Sequence, residues 1–381
     1  MSAAHLPLPG RAPRALVVLG ATTPLGRALC QRLLAQPRGG PLLLAVGREP
    51  QGPLPAHPQL RYRQVDLTRE RPLRELLFGE AREVGAEVLV HLALHRTPEG
   101  GARVHAQNVQ TLRWCLGFAE RHPTLRRLVL RSHAEIYRVD GSLPTLLTEE
   151  HPLELSPRAP QWVRDRVEAD LLACVRMGLS PLEIVVLRCA ELLAPDTGSQ
   201  LHAYLEAPPC LRPLGFDPML NVLSLPDAVD AVHRAVRAFG HQGVFNIPGA
   251  DTLPLTQCLR RWGRQALPVP GPLLASLYRA RRLAGGPPFS YTLNAGRFHF
   301  AAIPDGTRAR QVLGYRPCHP LQWPVGAASA ATPPPLLAEP APAAHARRAP
   351  RRPRRASASS TVARREGPSR PPPGNHHRRS P

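Results

Sequence analysis

The chain has 381 residues, 43% of them hydrophobic, and a formal net charge of +21. That length buries one large core, or one core with a small lobe, and the composition is globular. It contains no apolar run long enough to cross a bilayer, no CxxC pair among its seven cysteines and no HExxH histidine pair, which argues against a membrane span, a disulfide scaffold and a zinc site. Dispersed cysteines in odd number, and no apolar leader before Arg11, lead us to expect a reduced, cytoplasmic protein with no metal. Every one of the 49 basic residues is arginine, so part of the basicity reflects the coding bias of a GC-rich genome rather than an acidic partner.

Residues 1–14 form a proline-rich lead-in, expected to be disordered. Four apolar residues, Leu16 to Leu19, then read as a buried parallel strand. A small-residue turn follows, Gly20-Ala21-Thr22-Thr23-Pro24-Leu25-Gly26, and Leu25, Leu29, Leu33 and Leu34 share one face of a helix. A strand turning into a helix aims the helix's free N–H groups at the turn, where a phosphate can sit. Gly20 permits the turn, and Gly26 permits close helix–strand or backbone–pyrophosphate approach. Thr23 stands where a dinucleotide loop carries its middle glycine.

Leu42 to Val46 is a second strand, ending at Gly47-Arg48, where an arginine accommodates a 2′-phosphate; Arg48 therefore tilts the expected cofactor from NAD towards NADP. A short strand, Leu60 to Val65, ends at Asp66-Leu67, where an acid can meet the adenine amino group. The next helix is expected to be capped by Thr68. A fourth strand runs through Val88 and His91 to Leu92-Ala93, with His91 expected as a core or strand-end histidine. Helices over about 102–121 and 161–177 flank a strand from Leu125 to Arg131 that ends in Ser132-His133. Another strand spans Leu182 to Leu187. Alternating strands and helices predict a doubly wound parallel sheet, a Rossmann-type α/β fold, with a small C-terminal α/β substrate lobe. Apolar periodicity stops after about residue 326, which predicts a disordered basic tail. The expected division is 1–14 lead-in, 15–190 NAD(P)-binding domain, 191–326 substrate lobe and 327–381 tail.

The order of these pieces resembles the extended short-chain dehydrogenase/reductase superfamily, in particular its NAD-dependent epimerase/dehydratase branch. The resemblance rests on the loop at 20–26, Asp66-Leu67, His91-Leu92-Ala93, Asn108-Val109, and Arg127 to Ser132 running to Ile136-Tyr137. It continues through Arg188, Asn221 to Asp227, Gly243 to Asn246 and Leu313 to Pro317, and so spans about 14–326. It implies an NAD or NADP cofactor held by Gly20, Thr22, Thr23, Pro24, Leu25, Gly26, Arg48, Asp66, Leu67, Leu92, Ala93 and Arg166. It also implies a small-molecule or nucleotide-sugar ligand, and a homodimer paired through the helices near 102–121 and 161–177.

The family's chemistry uses a tyrosine that exchanges a proton, a lysine four residues on, and a serine or threonine at the end of the fifth strand. Those positions fall on Trp162, Arg166 and His133. An indole N–H does not titrate in the working range, and a guanidinium does not yield its proton. Tyr278 and Arg282 repeat the spacing in the lobe, Ser132 could rotate into the serine's role, and Tyr137 reads as packing. Two readings follow. One is a binding protein that keeps the nucleotide loop and has lost the chemistry, as a sensor or accessory protein. The other is an active epimerase, dehydratase or reductase with a rearranged site using His133. In the tail, Arg347, Arg348, Arg351, Arg352, Arg354, Arg355, Arg364 and Arg365 form a polybasic run with the charge to contact nucleic acid or an anionic surface weakly.

Overall fold

The computed structural model describes residues 10–36, 40–52, 54–95, 98, 100–286 and 288–325. Most of the lead-in and the whole arginine-rich tail lie outside them. Seven parallel strands form one sheet: β1 (Ala15–Leu19), β2 (Leu42–Gly47), β3 (Leu60–Gln64), β4 (Val88–His91), β5 (Arg127–His133), β6 (Glu183–Cys189) and β7 (Gly243–Ile247). Their order across the sheet is β3-β2-β1-β4-β5-β6-β7. The order reverses between β1 and β4, which opens a crevice at the carboxyl ends of those strands.

Alternation along each strand explains why these segments read as unbroken apolar runs. Leu16, Val18, Val90, Val129 and Val185 point to one face, beneath α1 (Pro24–Leu34) and a helix at Leu225–Arg237. Val17, Leu19, Leu89, Leu128 and Val186 point to the other, against helices at Thr111–Ala119 and Gln161–Cys174. Both faces are covered, so neither can be polar.

The helix expected near 102–121 is three consecutive pieces, Ala102–His105, a π-turn at Ala106–Gln110, and Thr111–Ala119. Thr111 Oγ1 donates to Leu67 O at 2.8 Å and also reaches Ala106 O at 3.2 Å, so a side chain competes for the carbonyl at the point where the turn widens. Thr68 is not the cap of the following helix. Arg69 holds that position without a side-chain bond, and Thr68 instead gives its N–H and hydroxyl to Asp66 Oδ1 at 3.0 and 2.6 Å.

The described residues form one compact unit, and the boundary expected at 190 is crossed by the architecture. Helix Leu225–Arg237 and β7 return to the main sheet, and β7 pairs with β6 from Gly243↔Val185 to Ile247↔Cys189. The lobe is therefore assembled from the chain on either side of that return. Its own core is aromatic, with Tyr204, Tyr278, Phe289, Tyr291 and Phe298 packed together. No helix of the described residues is long and apolar enough to cross a membrane.

The start of α1 fixes the β1–α1 distance. A Cβ on Gly26 would lie 2.2 Å from Gly20 O, a backbone atom that cannot move aside. Gly26→Ala should lower stability by about 1–3 kcal/mol, read from denaturant unfolding. Gly79→Ala, where a Cβ meets nothing within 4 Å, should be neutral or stabilising by less than about 1 kcal/mol.

Candidate functional site

The turn after β1 is built from its own side chains. Gly20 takes a φ of +83°. Thr23 has an ordinary φ of −67° and folds its hydroxyl back as the N-cap of α1, donating to Gly20 O at 2.7 Å and accepting from Gly26 N at 3.0 Å. The side chain in the middle-glycine position is thus turned into the helix. One amide is spent on this cap, and Pro24 has none. The amides of Thr22 and Leu25, which find no partner among the described residues, are the donors left at the turn.

A cavity of about 480 Å³ opens beside this turn, within the range of small-ligand sites. Gly20, Thr22, Thr23, Gly47, Arg48 and Glu49 form one side, and Leu67, Thr68, Ala93, Leu94, His95 and Gln107 the other. The expected residues Gly20, Thr22, Thr23, Arg48, Leu67 and Ala93 therefore meet at one cavity. Glu49 was missed. It lies two residues past β2, where attention falls on Arg48, and its carboxylate accepts from Thr22 Oγ1 and from Arg48 N. Asp66 is near but engaged, and Thr68 with its hydroxyl and amide holds the Asp66 carboxyl below its ordinary range. Pro24, Leu25 and Leu92 line a second, much smaller space next door, with Arg131, of about 10 Å³.

The positions of the expected catalytic residues converge, but not on this cavity. Trp162 and Arg166 lie on one face of the helix Gln161–Cys174, and the Arg166 guanidinium stacks 3.4 Å from the centre of the Trp162 ring. Arg166 also pairs with Glu135 at 3.3 Å, and His133 Nδ1 lies 3.4 Å from the same carboxylate. From the lobe, Arg297, on a helix at Tyr291–His299, reaches Glu135 at 3.6 Å and Glu191 at 2.8 Å. Glu191 further accepts from Ser199 Oγ and Leu201 N. Trp162, Arg166, His133 and Glu191 are all buried. Glu135 is the residue that sequence reasoning overlooked, because a lone acid two residues past a strand carries no spacing signal.

The electrostatics follow from burial. Burial, helped by the charges of Arg166 and Arg131, pushes the His133 imidazole down to about 3. Burial alone would raise Glu135, but His133, Arg166 and Arg297 hold it well below the ordinary carboxylate range. His91 is fully buried, is pushed down by burial to about 4, and has neither ring nitrogen hydrogen-bonded among the described residues. It is a core histidine, as expected.

The displaced candidates are structural. Ser132 Oγ donates to Asp170 Oδ2 at 2.5 Å on the opposite face of the sheet, and so cannot rotate towards the cavity without breaking that bond. Asp170 also holds Arg188 through two bonds, and Arg188 donates to the Tyr137 hydroxyl at 3.0 Å. Tyr137 donates to Asn246 Oδ1 at 2.7 Å, and burial pushes its phenol up to about 12. Tyr278 bonds both backbone groups of Leu211 inside the lobe core, which leaves it no part in a displaced pair with Arg282. Asp227, Cys318 and His319 are grouped closely enough to suggest a metal. The Asp227 carboxylate already accepts from both backbone amides and from His319 Nδ1, so the group reads as a tether for the end of the lobe.

Seen whole, these elements superpose on solved enzymes. The dTDP-glucose 4,6-dehydratase of Bacillus anthracis, solved with NAD, matches at TM-score 0.58 and 16% identity, over 80% of this chain and 92% of that one. The chain shares the fold of this NAD-bound structure. WbmG of Bordetella bronchiseptica, solved with NAD and UDP, matches at 0.58 and 16% identity over 82% and 92%. The UDP-glucuronic acid 4-epimerase of Bacillus cereus, solved with UDP-glucuronic acid and NAD, matches at 0.56 and 18% identity over 80% and 95%. By sequence, the chain is 27% identical over 313 residues, 80% of each chain, to uncharacterized proteins of Mycobacterium bovis (Mb0513) and Mycobacterium tuberculosis (Rv0501). No protein-family model matches it.

Two outcomes are expected from the buried cluster. Glu135→Gln leaves Arg166 and Arg297 short of a buried counter-charge and should cost about 3–5 kcal/mol in denaturant unfolding. Glu75→Gln, in an exposed pair with Arg71, should cost less than about 0.5 kcal/mol. His91 and His133 have folded values below their unfolded value of 6.5. The stability each contributes is complete above that value and is lost as pH falls from it towards the folded value, by on the order of 1–2 kcal/mol each between pH 7 and 5. Thermal unfolding should show this slope, and His133→Asn should flatten it.

Proposed function

We propose that this chain is an atypical member of the NAD-dependent epimerase/dehydratase branch that binds an adenine nucleotide and carries out no hydride chemistry, serving as a sensor or accessory protein. One observation carries the reading. The place of the proton-handling residues is filled by a buried cluster of Trp162, Arg166, His133 and Glu135, closed from the lobe side by Arg297 and Glu191. An imidazole near 3 is a poor base at neutral pH, and the Tyr137 phenol is committed to Asn246. The alternative, an active enzyme relying on His133, has neither a matched acid nor a matched base.

The cradle supports the binding half. The free amides of Thr22 and Leu25 would hold the phosphates at the turn that Gly20, Thr23 and Gly26 shape, and Leu67 and Ala93 would flank the adenosine. A bound nicotinamide would supply only a hydride acceptor. Glu49 beside Arg48 argues for NAD over NADP, because a carboxylate accepts from ribose hydroxyls and repels a 2′-phosphate. A nucleotide sugar would have to enter between sheet and lobe, where Arg297 and Glu191 close on Glu135. The exposed apolar side chains Leu155, Leu171 and Val175, around the helix Gln161–Cys174, support pairing of two copies through that helix.

Titration of the full chain with NAD should show binding, and Glu49→Gln should narrow the preference for NAD over NADP. Addition of UDP-glucose or dTDP-glucose to the NAD-loaded protein should leave the nicotinamide absorbance unchanged. A turnover that disappears in His133→Ala would overturn this reading in favour of the active enzyme.

A further inference from the structure

We propose that the cradle selects an adenine nucleotide that ends in a phosphate, with Arg131 as the counter-charge to that phosphate. This rests on the nucleotide-binding reading above and narrows its ligand.

Arg131 lies in β5, one residue before Ser132 and on the α1 side of the sheet. It is 9% exposed. No carboxylate of the described residues lies within ion-pair distance of it, its Nε has no hydrogen-bond partner, and its one polar contact is the Cys189 thiol, a weak acceptor. The neighbouring cluster does not neutralise it. There the guanidinium groups of Arg166 and Arg297 already share the two carboxylates of Glu135 and Glu191. A buried guanidinium in that position calls for an anion.

Arg131 shares the wall of one small space with Thr23, Pro24 and Leu25, the first turn of α1. This is where helix N–H groups already favour a phosphate, and a guanidinium recognises phosphate through paired hydrogen bonds. A dinucleotide crosses such a crevice, with one mononucleotide on each side of the pyrophosphate. The cavity on the β2 side has room for the adenosine half. On the β5 side the space is about 10 Å³, no more than one water fills. A nucleotide whose last group is a phosphate ends at the mouth of this space, beside Thr23 and Leu94, which line both cavities, and supplies the charge that Arg131 lacks.

The test is calorimetric titration of the full chain with ADP, adenosine and NAD. ADP should bind about tenfold or more tighter than either of the others, the effect of one hydrogen-bonded charged group. Arg131→Met should remove the advantage of ADP over adenosine and leave adenosine binding unchanged, and Arg131→Lys should retain part of the advantage. NAD binding as tightly as ADP to the wild-type chain, or ADP binding unaffected in Arg131→Met, would overturn the inference while leaving the nucleotide cradle intact. Failure of all three ligands to bind would remove the cradle itself, and this inference with it.

Discussion

A single carboxylate, Glu135, 12% exposed, holds the region around the lobe in its present form. It pairs with Arg166 on the helix Gln161–Cys174 and with Arg297 in the lobe, and lies 3.4 Å from the neutral ring of His133 on β5. Two cations with little water around them need that carboxylate, and it needs them. The sheet, the flanking helix and the lobe are therefore joined at one point. Trp162 fits the same logic, since its ring face offers Arg166 a second favourable surface that carries no proton to exchange.

The nucleotide turn follows a different constraint, steric rather than electrostatic. The positive φ of Gly20 and the close approach of Gly26 to Gly20 O set the β1–α1 geometry. Within that geometry Thr23 is accommodated as a helix cap, so the missing glycine changes the donor supply of the turn without blocking it. Glu49, tied to Thr22, gives the far wall a negative group beside Arg48. The turn and the buried cluster are thus separable here, because they rest on different elements and different forces.

The second polar network, Ser132–Asp170–Arg188–Tyr137–Asn246, explains why residues that look available for catalysis are not. Each member satisfies another in a buried setting, and withdrawing one would leave the rest unpaired. Strand alternation decides the matter at its root. Ser132 and Arg131 are neighbours in sequence but point to opposite faces of the sheet.

Much of the fold was legible in the sequence. Apolar runs such as Leu16–Leu19 and Leu42–Val46, punctuated by Gly20 and Gly47, specify a parallel sheet buried on both sides, and the Gly20–Gly26 spacing specifies a strand–turn–helix. The same reading marked Trp162, Arg166 and His133 as departures from the family's chemistry, because residue type at a known spacing is a local property. Tertiary contact alone decided what those departures became. Glu135 and Arg297 are 162 residues apart in sequence and 3.6 Å apart in space, and no periodicity or motif links them. The same holds for the return of Gly243–Ile247 to the main sheet, for Glu49 on the cavity wall, and for the isolation of Arg131. Each depends on which side chains share a small volume, and chain folding sets that through packing and desolvation rather than through order along the sequence.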